Sequence, residues 1–152
     1  MVVFLVERQR YGLPLESVER IVRAVEVTPL PAAPEIVLGA IDVEGRVLPV
    51  LNLRRRLGLP ERTIQPAQQF VLAQTERRAV ALVIDEVLEV AEMPETGIVE
   101  SAQVAPGLEH LRGVVQLADG LVLIYDLERF LSLEEERALN RALEEMEASD
   151  AG

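Results

Sequence analysis

LGAIDVEGRVLPVLNLRRRLGL, residues 38–59, and RGVVQLADGLVLIYDLERFLSL, residues 112–133, are one pattern written twice, seventy-four positions apart. At that offset Gly39 falls on Gly113, Ile41 on Val115, Val43 on Leu117, Val47 on Leu121, Val50 on Ile124, Asn52 on Asp126, Leu53 on Leu127 and Arg55 on Arg129, with no gap. Each copy runs from a glycine through an apolar strand to a turn, Glu44-Gly45 or Asp119-Gly120, and then along a second apolar strand. Each strand ends on Asn52 or Asp126, residue types whose short side chains cap helix N-termini. The leucines that follow are four apart, which suits one or two helical turns. The unit is therefore a hairpin followed by a helical turn, used twice.

Composition narrows what such a chain does. At 152 residues with 49% hydrophobic, it buries a real core as one domain. Val, Leu, Ile and Ala dominate, five residues are aromatic, and nine prolines with nine glycines favour strands and turns, so the class expected is all-β. The net charge is −11, of which residues 134–152 carry −5 through seven acidic and two arginine side chains. That balance repels polyanions, and few rings are available for bases to stack on, so no nucleic acid partner is expected. Every basic residue is arginine, which excludes a lysine-dependent phosphate loop. Cysteine is absent, in keeping with a reducing compartment. MVVFLVERQ does not read as a signal peptide, and no apolar run approaches the roughly 18 residues of a membrane span, so a cytoplasmic protein without direct membrane insertion is expected.

Working outward from the repeat, Val2 to Val6 and Tyr11 to Leu13 suggest an opening hairpin that stops at Pro14. Positions 15, 18, 21, 22 and 25 have helical spacing, yet Val18, Ile21, Val22, Val25 and Val27 are β-branched; periodicity favours a helix and propensity a strand. Pro29, Pro31 and Pro34 make a stiff crossing, and residues 34–37 suit a single turn. Pro49 removes an amide donor from the VLPVL strand, which needs an edge or a bulge there. Residues 58–68, GLPERTIQPAQ, are the one polar stretch long enough to join two lobes. Residues 70–84 echo the opening hairpin, with Asp85-Glu86-Val87 standing where Glu16-Ser17-Val18 stood. The expected plan is lobe one over about 10–60, lobe two over about 70–133, with strands exchanged between them allowed, a C-terminal helix over 133–147 and a tail at 148–152. Ser132-Leu133-Glu134-Glu135 reads as a capping box at the start of that helix.

Residues 39–59 resemble the central motif of the CheW-like family, the chemotaxis coupling proteins and their relatives. Tyr11-Gly12-Leu13-Pro14, Val18 to Ile21, Thr28-Pro29-Leu30-Pro31 with Pro34, Leu82-Val83-Ile84-Asp85 with Val87, Glu89 and Val90, and Asp119 to Leu127 match in order. The resemblance implies two small, intertwined five-stranded barrels of the SH3/OB-like kind, a turn near 15–18 and then a strand to about 27. It also implies a non-catalytic adaptor, without cofactor or metal, that joins the cytoplasmic hairpin tips of chemoreceptors to the regulatory domain of a histidine kinase. Val18, Arg20, Ile21 and Glu44 become the candidate receptor contacts, in a groove near the boundary between lobes. Gly39, Gly45 and Gly113 become candidates for close approach to a partner.

The inventory for catalysis is thin: one His, no Cys, no Lys and two Tyr. His110 reads as a partly exposed structural residue, and Asp42 with Glu44 or Asp85 with Glu86 as solvated turn and strand positions rather than an acid/base pair. Arg54-Arg55-Arg56 reads as a short helix whose outer face is solvated rather than as an anion patch. The informative pair is Arg20 with Glu44. In the family these positions usually hold Glu and Arg respectively, so both signs are reversed here. If the side chains meet, the attraction survives and the local field seen by a partner is inverted. Two rival readings stay open: a divergent adaptor of a motility or developmental pathway that does not bind the kinase, and a small-ligand barrel with a polar pocket.

Overall fold

The computed structural model describes residues 1–92, 99–100 and 111–151, with the side chains of 99–100, 111 and 148–151 excepted. His110 lies outside the described residues. In the first part of the chain are β1 (Val2–Val6), β2 (Gln9–Leu13), a 3-10 turn (Leu15–Ser17), β3 (Val18–Arg23), β4 (Val37–Val43), β5 (Arg46–Leu51) and α1 (Leu53–Leu57). Then come β6 (Gln69–Gln74), β7 (Ala79–Ile84), β8 (Glu86–Val90), β9 (Val99–Glu100), β10 (Leu111–Leu117), β11 (Gly120–Tyr125), a 3-10 turn (Leu127–Arg129) and α2 (Leu133–Ala151). The fold is all-β with short helical turns and one long C-terminal helix.

Two sheets form, in the orders β8-β1-β2-β11-β10-β9 and β3-β6-β7-β5-β4. In the second, Thr28 closes the ring onto β4: its amide donates to Ala40 O at 2.9 Å and its carbonyl accepts from Ala40 N at 2.8 Å. In the first, β9 takes the same place beside β10, pairing Val99 with Val114 and Glu100 with Gly113. The second sheet thus closes as a five-stranded barrel through the Thr28 bridge, and in the first, of six strands, β9 holds the equivalent closing position. The repeat is visible in the register. Gly39↔Val50, Ile41↔Leu48 and Val43↔Arg46 in one hairpin become Gly113↔Ile124, Val115↔Val122 and Leu117↔Gly120 in the other, and each glycine follows a bulge.

The sheets do not divide at the polar linker. β6 and β7, from the second half of the chain, sit in the barrel with β3, β4 and β5, while β1 and β2 sit with β8 to β11. The parallel joints are equivalent: Val50 faces Ala81 where β5 meets β7, and Ile124 faces Gly12 where β11 meets β2. Pro49 lies immediately before that joint, so its missing amide falls where the β7 pairing has not yet begun.

The exchange explains why strands such as FVLA and AVALVI are apolar at every position rather than alternately. Phe70, Leu72 and Ala81 fill the barrel of lobe one with Ile41, Leu48 and Val50. Met1, Val3, Val115, Val122 and Ile124 fill the other. Their strand neighbours Phe4, Val6, Tyr11, Leu13, Val71, Ala73, Val80, Leu82 and Ile84 meet between the barrels in the largest cluster of all. A strand buried on both faces has no polar side to show.

Some local readings change. β3 ends at Arg23 rather than near 27, because residues 24–27 turn the chain toward the Thr28 bridge. The second hairpin turns at Ala118-Asp119, since Gly120 already pairs with Leu117. α2 runs to Ala151, past residue 147, for nothing between those positions breaks a helix.

Candidate docking surface

β3 carries a bulge between Val18 and Arg20, where Val18 lies opposite Ala73 and Arg20 opposite Leu72. Side chains of facing residues point the same way. Val18 and Ile21, opposite Ala73 and Val71, therefore project toward the inter-lobe core and pack half-buried against its rim. Arg20, opposite Leu72, projects at the mouth of the first barrel instead and is exposed.

Glu44 reaches Arg20 because the β4–β5 turn has only two residues. Both have positive φ, 53° at Glu44 and 86° at Gly45, as a tight hairpin turn between right-twisted strands requires. The carboxylate of Asp42 accepts from the amide of Gly45 at 2.8 Å and pins the turn. Arg20 Nη2 then lies 3.4 Å from Glu44 Oε2. A second pair stands beside it: Arg46 Nη1 and Nη2 donate to Glu19 at 2.9 and 3.1 Å. The guanidinium of Arg46 holds the Glu19 carboxyl below its ordinary range, and Glu19 raises Arg46 in turn. Sequence reasoning missed this pair. No sequence signal marked it, because the bulge that turns Glu19 outward toward the strand after the turn shows only in the pairing of β3 with β6.

The three glycines are placed differently. A Cβ on Gly39 would sit 2.3 Å from Thr28 O, so that residue is bare because the barrel closes across it. Gly113 is buried after the equivalent bulge. Gly45 is exposed at the turn, with open space around it.

The outer face of the arginine run is solvated at Arg55, as expected, but Arg54 and Arg56 are turned into the molecule. Arg54 is buried, with 8% side-chain exposure; it pairs with Glu7 and with Asp85 at 3.1 Å, and donates to Pro60 O at 3.3 Å. Leu53 and Leu57 turn inward and carry Arg54, on the same side of the short helix, against the β1–β2 turn. Arg55 pairs with Glu35 and Glu61. Arg56 pairs with Glu135 at 2.5 Å and lies over the Phe130 ring at 5.6 Å. All three are spent on internal contacts. A cleft of about 300 Å³ lies beside them, lined by Leu38, Ile64 and Val83 and floored by Asn52, Arg54 and Gln68. The floor is already used internally: Asn52 caps α1 by accepting from Arg55 N at 3.2 Å, and Gln68 donates to Asp85 at 3.0 Å. Among the described residues no cluster of His, Cys, Asp or Glu is arranged to hold a metal ion.

Two barrels locked through a shared core, with an apolar rim and paired charges at one mouth, define a double-barrel docking module. The chain belongs to the family of the CheW-like domain, whose model matches residues 1–135. It is similar to "Chemotaxis protein CheW" of Treponema pallidum, 26% identical over 89% of this chain and 83% of that one. It is also similar to "Protein FrzA" of Myxococcus xanthus, 32% identical over 91% and 88%. The crystal structure of "scaffolding protein TtCheW" from Thermoanaerobacter tengcongensis superposes with a TM-score of 0.79, at 25% identity, covering 88% of this chain and 92% of that one.

Proposed function

We propose that this chain is a non-catalytic adaptor of chemotaxis-like signal transduction, which holds the cytoplasmic tip of a chemoreceptor against the regulatory domain of a histidine kinase. The observation that carries the reading is the joint placement of Val18 and Ile21 at the inter-lobe rim and Arg20 with Glu44 at the adjoining barrel mouth. An apolar rim beside charged residues suits a protein partner: the first supplies buried area, the second selects who docks. The relatives named for chemotaxis and scaffolding support the reading, and a cytoplasmic location follows from it. Among the described residues no helix is long and apolar enough to cross a membrane. Co-sedimentation of the full chain with receptor fragments and kinase tests it: a ternary pellet is expected, and its absence with both partners overturns it.

The Arg20–Glu44 pair is largely exposed and contributes about 0–1 kcal/mol to stability, so its effect is on partner choice. Arg20→Glu alone weakens assembly, and adding Glu44→Arg restores part of it; a double variant no better than the worse single one ends the pairing idea. The reversed signs also favour a second reading, an adaptor of a divergent motility or developmental pathway that has left the kinase. A pull-down against the kinase regulatory domain separates the two.

A further inference from the structure

Among the described residues, lobe two has no counterpart of Arg20 or Arg46 at its barrel mouth; the cation at its β10–β11 turn is Arg10, which donates to Asp119 O at 2.6 Å. β8 lies on β1 as β3 lies on β6: Val87 faces Phe4 as Val18 faces Ala73, a bulge follows in each, and Glu89 opposite Val3 stands where Arg20 stands opposite Leu72. Leu88 then takes the place of Glu19. By the repeat, Ala118 takes that of Glu44 and Gly120 that of Arg46. Neither of the ion pairs that lace lobe one has a counterpart here.

What is left is an unusual edge. β8 ends its sheet and, among the described residues, pairs with β1 alone. Leu88 and Val90 are 37% and 67% exposed. Glu86, Glu89 and Glu92 are exposed, and among the described residues none of them has an ion-pair partner. Edge strands avoid indiscriminate pairing with charged side chains, proline, bulges or a covering segment, and β8 has a bulge at Leu88 and exposed carboxylates. Among the described residues those carboxylates are without ion-pair partners, and beside two apolar side chains they select one kind of neighbour. A second copy of this chain, at net charge −11, is repelled.

We propose that β8 is a docking edge for an extended cationic segment of a partner protein, added as a strand, whose arginines pair with the carboxylates of Glu86 and Glu89. Its apolar residues cover Leu88 and Val90, while main-chain hydrogen bonds to the edge provide affinity. Neither receptor nor kinase is needed to test this, so the outcome is independent of the adaptor reading. The isotopically labelled full chain is titrated with a synthetic peptide of alternating arginine and valine, and with one of equal charge in which proline replaces valine. Amide shifts centred on 86–90 are expected with the first peptide only. Glu89→Arg weakens binding by about tenfold or more, and Glu89→Gln by less, as loss of one charge contact predicts. Glu144→Gln with Glu145→Gln, on the exposed side of α2, leaves affinity unchanged. Equal binding of the proline peptide, shifts that follow the α2 carboxylates, or sedimentation showing β8 covered by a second copy would each overturn the proposal.

Discussion

Arg54 gathers three separated parts of the chain onto one guanidinium: the β1–β2 turn at Glu7, the β7–β8 crossing at Asp85 and the linker at Pro60. Removing it strands carboxylates that are 35% and 22% exposed, so the penalty is smaller than for a fully buried pair. Arg54→Met is expected to cost about 2–3 kcal/mol, read as a lower urea midpoint at unchanged slope. The residue could not be recognised in the sequence, where three consecutive arginines after a cap look like a solvated turn. Only the tertiary position of Glu7, forty-seven residues away, gives the middle of the molecule a use for that charge. Tyr125 is the opposite case. Its hydroxyl is buried beside Phe130 without a hydrogen-bond partner among the described residues, and burial pushes its pKa well above the ordinary phenol value. An unmade buried hydrogen bond costs about 1–3 kcal/mol, so Tyr125→Phe is expected to raise the melting temperature. A lower melting temperature would show that the hydroxyl is satisfied by a bound water.

Among the elements, α2 was the most legible, because its start is written in four residues. Ser132 Oγ accepts from Glu135 N at 3.1 Å, and Glu135 accepts from Ser132 N at 2.8 Å, the reciprocal bonds that the sequence announced. What the sequence did not announce is that the same Glu135 also fastens the helix to α1 through Arg56, and that Glu136 fastens it to Arg78 at 3.0 Å. Burial raises the pKa of Glu135, but the bonds from Arg56 and Ser132 outweigh it and leave the value below the ordinary carboxylate range. A depressed folded pKa means stability that is complete above the unfolded value, about 4.3, and is lost as pH falls through the lower folded one. Glu135→Gln should therefore cost stability at neutral pH and flatten its decline below pH ~4, followed by thermal melts across that range. A decline as steep as in the parent chain would assign the acid sensitivity to other carboxylates. The β3 strand was less legible, since helical spacing and β-branching disagreed there. The half-buried, bulged strand that resulted satisfies both: the bulge shifts the alternation, so that 18 and 21 share a face.

At the scale of the whole molecule, the duplication was readable, and strand exchange between the lobes was allowed for without naming the strands that take part. An ungapped offset fixes which residues are equivalent, but the parallel joints of β5 with β7 and of β2 with β11 are long-range choices that no local pattern encodes. The linker at 58–68 looked like a boundary and is instead a connection inside an exchanged body. Because the largest core lies between the barrels, unfolding is expected as one transition by near- and far-ultraviolet dichroism alike. Residues 1–60 alone should not fold, since their barrel lacks β6 and β7; a cooperative melt from that fragment would refute the shared-core account.

The contact between Arg56 and Phe130 has one more consequence. These two occupy matching places in the two copies of the unit, and they touch, so the rotation that carries one half of the chain onto the other passes close to them. A polypeptide of half this length would present that position to its own twin and trade hairpins with it, giving the same body as a swapped homodimer. Within a single chain the two sides of that contact need not be the same residue, and here they are arginine and phenylalanine.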